Sequence, residues 1–256
     1  MIHGAITSNI DVAQVVLYAF FVFFAGLIWY LRGEDRREGY PLESEAMGRQ
    51  KQRGFLFIPR PKTFRLHGGA KVKAPRFDVD PRAVNAVKVA PWPGAPLEPT
   101  GDPLLAAVGP GSYALRADVS EKTFDGRDLI VPLRVATNYA VAGEGPNPIG
   151  MEVVGADGVV GGVVTDVWVD RGEHLLRYLE VSTAAGARRV LLPVPFANVK
   201  GSARRVVVEA ILGSQFATAP TTKSPNQVTL LEEEKIVAYY GGGTLYASPE
   251  RAEPLL

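Results

Sequence analysis

The chain has 256 residues, 46% of them hydrophobic, enough to bury one good-sized core or two small ones. Its 28 basic and 27 acidic side chains leave a formal net charge of +1, so no overall basic field exists to hold nucleic acid, and none is expected as a partner. Cysteine is absent, which excludes disulfides, thiolate nucleophiles and cysteine-based zinc or iron–sulfur sites.

The first element is apolar. VAQVVLYAFFVFFAGLIWYL, Val12 to Leu31, carries no charge over about twenty residues, enough as a helix to cross roughly 30 Å of hydrocarbon. A secretory signal fits less well, since no Lys or Arg precedes the stretch and no small-residue cleavage site follows it. Trp29 and Tyr30 fall at one interface, with Arg32, Arg36 and Arg37 just beyond. The positive-inside bias therefore places residues 1–11 on the periplasmic side and everything after Leu31 in the cytoplasm. Tyr30, Arg32 and Arg36 are expected at headgroup depth, where they are candidates to hold an anionic lipid phosphate. Ala19, Ala25 and Gly26 suit either close packing against other transmembrane helices or a simple lipid-facing anchor.

Residues 32–110 have a different texture, with eleven of the twenty prolines between Pro41 and Pro110. Such density forbids long helices and favours extended segments. Phe55, Phe57, Phe64, Trp92 and Leu97 are interleaved with the prolines, and solvated linkers are poor in such residues. This part is therefore expected to be an ordered, extended arm lying along another surface.

Residues 111–256 read as the globular part. MEVV, GGVVTDVWVD, LLRYLEVS, RRVLLPV and RRVVVEAI are short β-branched runs, with Asp157-Gly158 as a tight-turn pair between the first two. They predict a small antiparallel β-barrel or curled sheet, because closure removes exposed edges. TLLEEEKIVAYYGGG then predicts a helix opened by a Thr229/Glu232 capping box and ended by Gly241 to Gly243.

Catalytic constellations are missing. The histidines are His3, His67 and His174, with His3 on the far side of the membrane from the other two in this topology, which leaves few members for a metal site or a Ser/His/Asp triad. No Gly-x-Ser-x-Gly elbow occurs, and GGGTLYAS and HGGAKVK lack the spacing of a phosphate-cradling loop. No known hydrolytic or dinucleotide-dependent activity is expected. What stands out is WVDRGEHLLRYLEV, where Asp170, Glu173, His174 and Arg177 cluster at the turn between two predicted strands and Gly172 can supply the bend. From the residues alone this is either a solvated hairpin tip or a carboxylate relay with a proton affinity set by burial and by Arg177.

YLRGEDRREGYPLE, RPKTFRLHGG, GDPLLAAVGPGSYALRAD, IVPLRVATNYA, NPIG, WVDRGEHLLRYLEV and LLEEEKIVAYYGGGTLYASPERAE run in order over nearly the whole chain. Together they resemble the H subunit of the photosynthetic reaction centre of purple bacteria. The resemblance implies one transmembrane helix, an extended surface segment and a cytoplasmic barrel of the PRC type with a C-terminal helix, in the intracytoplasmic photosynthetic membrane. It also implies L and M subunits as partners, with a cytochrome subunit and the light-harvesting antenna as further expected neighbours. Bacteriochlorophyll, bacteriopheophytin, quinones and the non-haem iron would sit on the partner subunits, and this chain would bind no cofactor alone and would not be an enzyme. Matched to the family motif, Glu173 is the inner acid of a proton path to the secondary quinone, with Asp170 and Arg177 tuning it. In EKTFDGRDLI, Asp125 and Asp128 are candidates for proton capture, although Arg127 and Asp128 stand where some members carry histidines. The alternative is a membrane-tethered PRC-barrel adaptor for another protein or a ribonucleoprotein.

Overall fold

The computed structural model describes residues 7, 11–40, 43–44, 48–49, 58–76, 80–184, 186 and 188–252. Phe55 and Phe57 of the expected arm, and His3, lie outside the described residues. Contacts divide the chain into two compact units, Met1–Arg82 with Trp92–Gly94, and Ala83–Pro91 with Ala95–Leu256.

The first unit is led by helix α1, Val12–Glu34, whose first turn is capped by Asp11 accepting from the Gln14 N–H at 2.7 Å. None of its residues is buried, so its apolar side chains all face outward, and among the described residues it is the one helix long and apolar enough to cross a membrane. It continues past Leu31 through Arg32, Gly33 and Glu34 because the last turn is held by charge. The Glu34 carboxylate accepts from Arg37 at 2.8 and 2.9 Å and from Lys62 at 2.8 Å, while Arg37 donates to the carbonyls of Arg60 and Ala74, both at 2.9 Å. Strand pairs β1 (Glu43–Ser44) with β2 (Gly48–Arg49), and β3 (Lys62–Arg65) with β4 (Lys71–Ala74), are antiparallel. Arg37 and Lys62 thus fasten the β3–β4 hairpin to the end of α1. Phe64 and Trp92 are exposed in this unit.

The second unit begins with the hairpin β5 (Ala86–Lys88) and β6 (Leu97–Pro99), on which Leu97 is also exposed. Its sheet comprises β7 (Ile130–Pro132), β8 (Glu152–Val154), β9 (Val160–Asp170), β10 (Leu175–Thr183), β11 (Arg189–Pro193), β12 (Asn198–Lys200) and β13 (Arg205–Val207). The order is β11-β10-β9-β8-β13-β12, with β7 on β9. The two outer strands of that order, β11 and β12, are consecutive in the chain and joined only by residues 194–197, so the sheet curls. One pairing departs from the expected antiparallel pattern. β13 runs parallel to β8, with Val206 opposite Val153, because the tight β12–β13 hairpin reverses the chain once more before it reaches the β8 edge.

β9 is covered on both faces. Val167 and Trp168, on opposite faces of the strand, join the main core with Leu179, Leu192, Ile211, Phe216, Ile236 and Tyr240, while Val169 packs with its cross-strand neighbour Val131 and with Ala136 in a small second cluster. Each fully buried large side chain contributes about 1.5–3 kcal/mol.

Helix α2, Leu230–Tyr246, opens with the expected reciprocal cap: Thr229 Oγ1 accepts from the Glu232 N–H at 3.1 Å and Glu232 Oε2 from the Thr229 N–H at 2.9 Å. It does not end at Gly241 to Gly243 but runs through them to Tyr246. The glycines serve close approach instead. A Cβ on Gly242 would lie 3.2 Å from Gly111 Cα, and one on Gly243 only 2.4 Å from the Ala210 carbonyl oxygen. Packing of neighbouring backbones outweighs a helix-propensity cost of about 1 kcal/mol per glycine.

Candidate functional site

β9 ends at Asp170 and β10 begins opposite it at Leu175, leaving a four-residue turn, 171–174. Asp170 builds that turn. Its Oδ1 accepts from the N–H groups of Gly172 at 2.8 Å and Glu173 at 3.0 Å, and its carbonyl accepts from the His174 N–H at 2.9 Å. The left-handed residue is His174, at φ 56°, and not Gly172 as expected. Gly172 instead makes room, since a Cβ there would stand 3.1 Å from Leu129 Cδ1.

Asp170 is 4% exposed, and Arg177 Nε lies 3.9 Å from its Oδ2, a long ion pair. The structure therefore brings Asp170 and Arg177 together. Glu173 is joined to Asp170 through its backbone N–H, and its exposed carboxylate has no partner among the described residues.

The loop bearing Asp125 and Asp128 lies against the same turn. Arg171 donates its N–H to the Leu129 carbonyl at 3.0 Å and its guanidinium to the Asp128 carbonyl at 3.3 Å. Between loop and turn opens a cleft of about 570 Å³, lined by Asp125, Arg127, Tyr139, Arg171, Gly172 and His174 among others. The Thr123 hydroxyl donates to Asp125 and Arg127 Nε lies 2.6 Å from it, and these bonds hold the Asp125 carboxyl below the usual carboxylate range. Partial burial pushes Asp128 up, but Lys122 and Ser120, both donating to Oδ1 at 2.6 Å, outweigh it and leave Asp128 lowered as well. Both are anions at neutral pH.

The residues expected at headgroup depth make separate contacts. Tyr30 Oη accepts from Lys62 Nζ at 3.2 Å, Arg32 lies a loose 3.8 Å from Asp35, and Arg36 sits over the Tyr40 ring at 5.3 Å from its centroid.

Two buried polar groups escaped the sequence reading. Asp166 and Glu180 face each other across β9 and β10, 8% and 3% exposed, and Arg134 Nη1 bridges them at 2.9 and 2.8 Å. Trp168 Nε1 also donates to Glu180 at 3.0 Å. An acid in the middle of an apolar strand run, as in TDVWVD and YLEV, was the available signal. Glu233, in the first turn of α2, accepts from Tyr178 Oη at 2.8 Å; burial raises its carboxyl, while that bond and the nearby Arg177 oppose the rise.

Two comparisons bear on what this arrangement belongs to. The family model described as photosynthetic reaction centre, H-chain N-terminal region, matches residues 4–135, and the PRC-barrel domain model matches residues 141–215. The first of these spans the apolar helix, the arm and the loop of Asp125 and Asp128, and the second covers most of the curled sheet with the Asp170 turn. The chain belongs to the family of photosynthetic reaction-centre H chains.

Proposed function

We propose that this chain caps the cytoplasmic face of the reaction-centre L and M subunits, shields the quinone region and conducts protons to the secondary quinone. Membership of the H-chain family implies association with L and M. In this reading the pigments, quinones and non-haem iron are carried by those partners, and this chain contributes structure and a proton path. Arg32 in the last turn of α1, with Arg36 and Arg37 just beyond it, supports a cytoplasmic second unit.

The observation that carries the reading is the Asp170 turn. A buried carboxylate, tied to two N–H groups and 3.9 Å from Arg177, stands directly behind a turn whose outer residues share an open cleft with Asp125. Glu173 is exposed on this chain, at the outer side of the same turn, where an acid can exchange protons with a partner surface laid over it.

Flash-induced kinetics of the assembled complex test this. With Glu173→Gln, the first electron transfer to the secondary quinone is expected to be normal and the proton-coupled second one slowed; Asp170→Asn is expected to act likewise but more weakly. A normal second-flash rate for Glu173→Gln from neutral to alkaline pH would remove Glu173 from the path. The adaptor alternative makes a different prediction at the first step of purification: a preparation without bacteriochlorophyll absorption.

A further inference from the structure

A further cleft, of about 370 Å³, opens on the curled sheet away from the Asp170 turn. Its floor is contributed by Trp168 of β9, Glu180 of β10 and Leu191 of β11, all buried. Arg188 and Arg189 form one wall and the segment from Thr221 to Pro225 the other. Both walls are fixed. Arg188 donates to the carbonyls of Ala217 at 2.6 Å and Ala219 at 3.2 Å, the Lys223 N–H donates to Glu232 Oε1 at 2.7 Å, and the Arg134 guanidinium donates to the Pro225 carbonyl. A cleft held in shape in this way leaves little ordering for a ligand to impose.

Charge decides what such a cleft takes. Glu180 on the floor is already satisfied by Arg134 at 2.8 Å, by Trp168 Nε1 at 3.0 Å and by Thr165 Oγ1 at 3.2 Å. Lys223 is paired with Asp118. Arg189 lies 3.5 Å from Glu180 with its side chain 64% exposed, an ion pair that opens at little cost. Arg188 is different. It has no carboxylate partner among the described residues, yet two carbonyls anchor its guanidinium, so a fixed positive charge stands at the rim with part of its donor fork unused. Across from it the Thr221 hydroxyl also has no partner among the described residues.

We propose that this cleft binds a phosphate group, with Arg188 and Arg189 donating from one wall and the Thr221 hydroxyl and the Lys223 ammonium from the other. Guanidinium forks match phosphate oxygens bidentately, and a tetrahedral anion presents oxygens to both walls at once, which a planar carboxylate does not. Trp168 and Leu191 are 1% and 3% exposed, so the floor offers no surface to a ring or an acyl chain and the ligand is recognised by its anionic head. That head is the same on free phosphate, on a soluble phosphate ester and on a phospholipid. The site is separate from Asp170 and Glu173 and does not depend on the proton path.

The test uses the assembled complex in detergent, titrated calorimetrically with inorganic phosphate at constant ionic strength. Saturable binding is expected, and Arg188→Met and Arg189→Met should each weaken it about 10–100-fold, the size of one charge-assisted contact. Arg205→Met, which removes an exposed cation of β13 outside the cleft, should leave it unchanged. Arg189→Met changes an exposed side chain, so it reports on the site even where Arg188→Met loosens the 217–219 segment. Acetate should bind more weakly than phosphate. Reconstitution into phosphatidylglycerol nanodiscs separates the sources: an unchanged affinity for inorganic phosphate assigns the cleft to a soluble anion, and its loss there assigns the cleft to a lipid headgroup. Absence of saturable binding, equal binding by the parent and both arginine variants, or acetate bound as tightly as phosphate would overturn the proposal.

Discussion

Replacing Arg134 by Met should destabilise the second unit. Arg134 Nη1 holds one oxygen of Asp166 at 2.9 Å and one of Glu180 at 2.8 Å, so those two oxygens are less than about 6 Å apart. At an effective dielectric of about 20, two carboxylates at that distance repel by about 3 kcal/mol once the cation is gone. Breaking a buried pair by deleting one partner costs about 3–5 kcal/mol. A smaller cost than that range, about 2–3 kcal/mol, applies here because Arg134 itself is 34% exposed and the acids retain other donors. Glu180 keeps Trp168 Nε1 at 3.0 Å and Arg189 at 3.5 Å, and Asp166 keeps the Val167 N–H at 2.8 Å. Urea unfolding of the detergent-solubilised chain, followed by tryptophan fluorescence, measures this, since Trp168 is fully buried against Glu180. A variant as stable as the parent at pH 7 would refute the reasoning.

Three further outcomes follow from the same geometry. Burial raises the Glu233 carboxyl, so the charged form destabilises the fold as pH rises through that value; Glu233→Gln, which still accepts from Tyr178, should be more stable than the parent at neutral pH and lose that advantage in acid, as pH-dependent urea midpoints would show. Gly243→Ala puts a Cβ 2.4 Å from the Ala210 oxygen and 2.5 Å from Ile211 Cγ2, and should cost about 1–3 kcal/mol despite the better helix propensity of alanine; an unchanged melting temperature would mean that α2 does not pack this closely. Arg32→Leu with Arg36→Leu should reduce anionic lipid retained by the purified complex, and unchanged lipid content by mass spectrometry would end the headgroup assignment.

Several elements were legible without coordinates because their causes are local. The uncharged run from Val12 to Leu31, the Thr229/Glu232 cap and the β-branched runs flanking Asp157-Gly158 each state their structure within a few residues, through hydropathy, hydrogen-bonding side chains and backbone preference. The cluster of Asp170, Glu173 and Arg177 was visible for the same reason, since a turn keeps neighbours in sequence close in space.

What the tertiary structure alone decided depends on register and on partners far along the chain. Glu180 is buried because β10 sets it opposite Asp166, and it is tolerated because Arg134, 46 residues away in sequence, reaches both. Gly241 to Gly243 look like a helix stop, yet their missing side chains let α2 lie against the backbones of residues 110–111 and 210. Tyr139 meets His174 across 35 residues, and Asp125 shares a cleft with both, only because the 121–129 loop is hydrogen-bonded to the turn. Periodicity and propensity report how a segment prefers to fold, whereas the environment of a charged side chain is fixed by which segments meet, and that is settled only when the sheet has curled and its register is set.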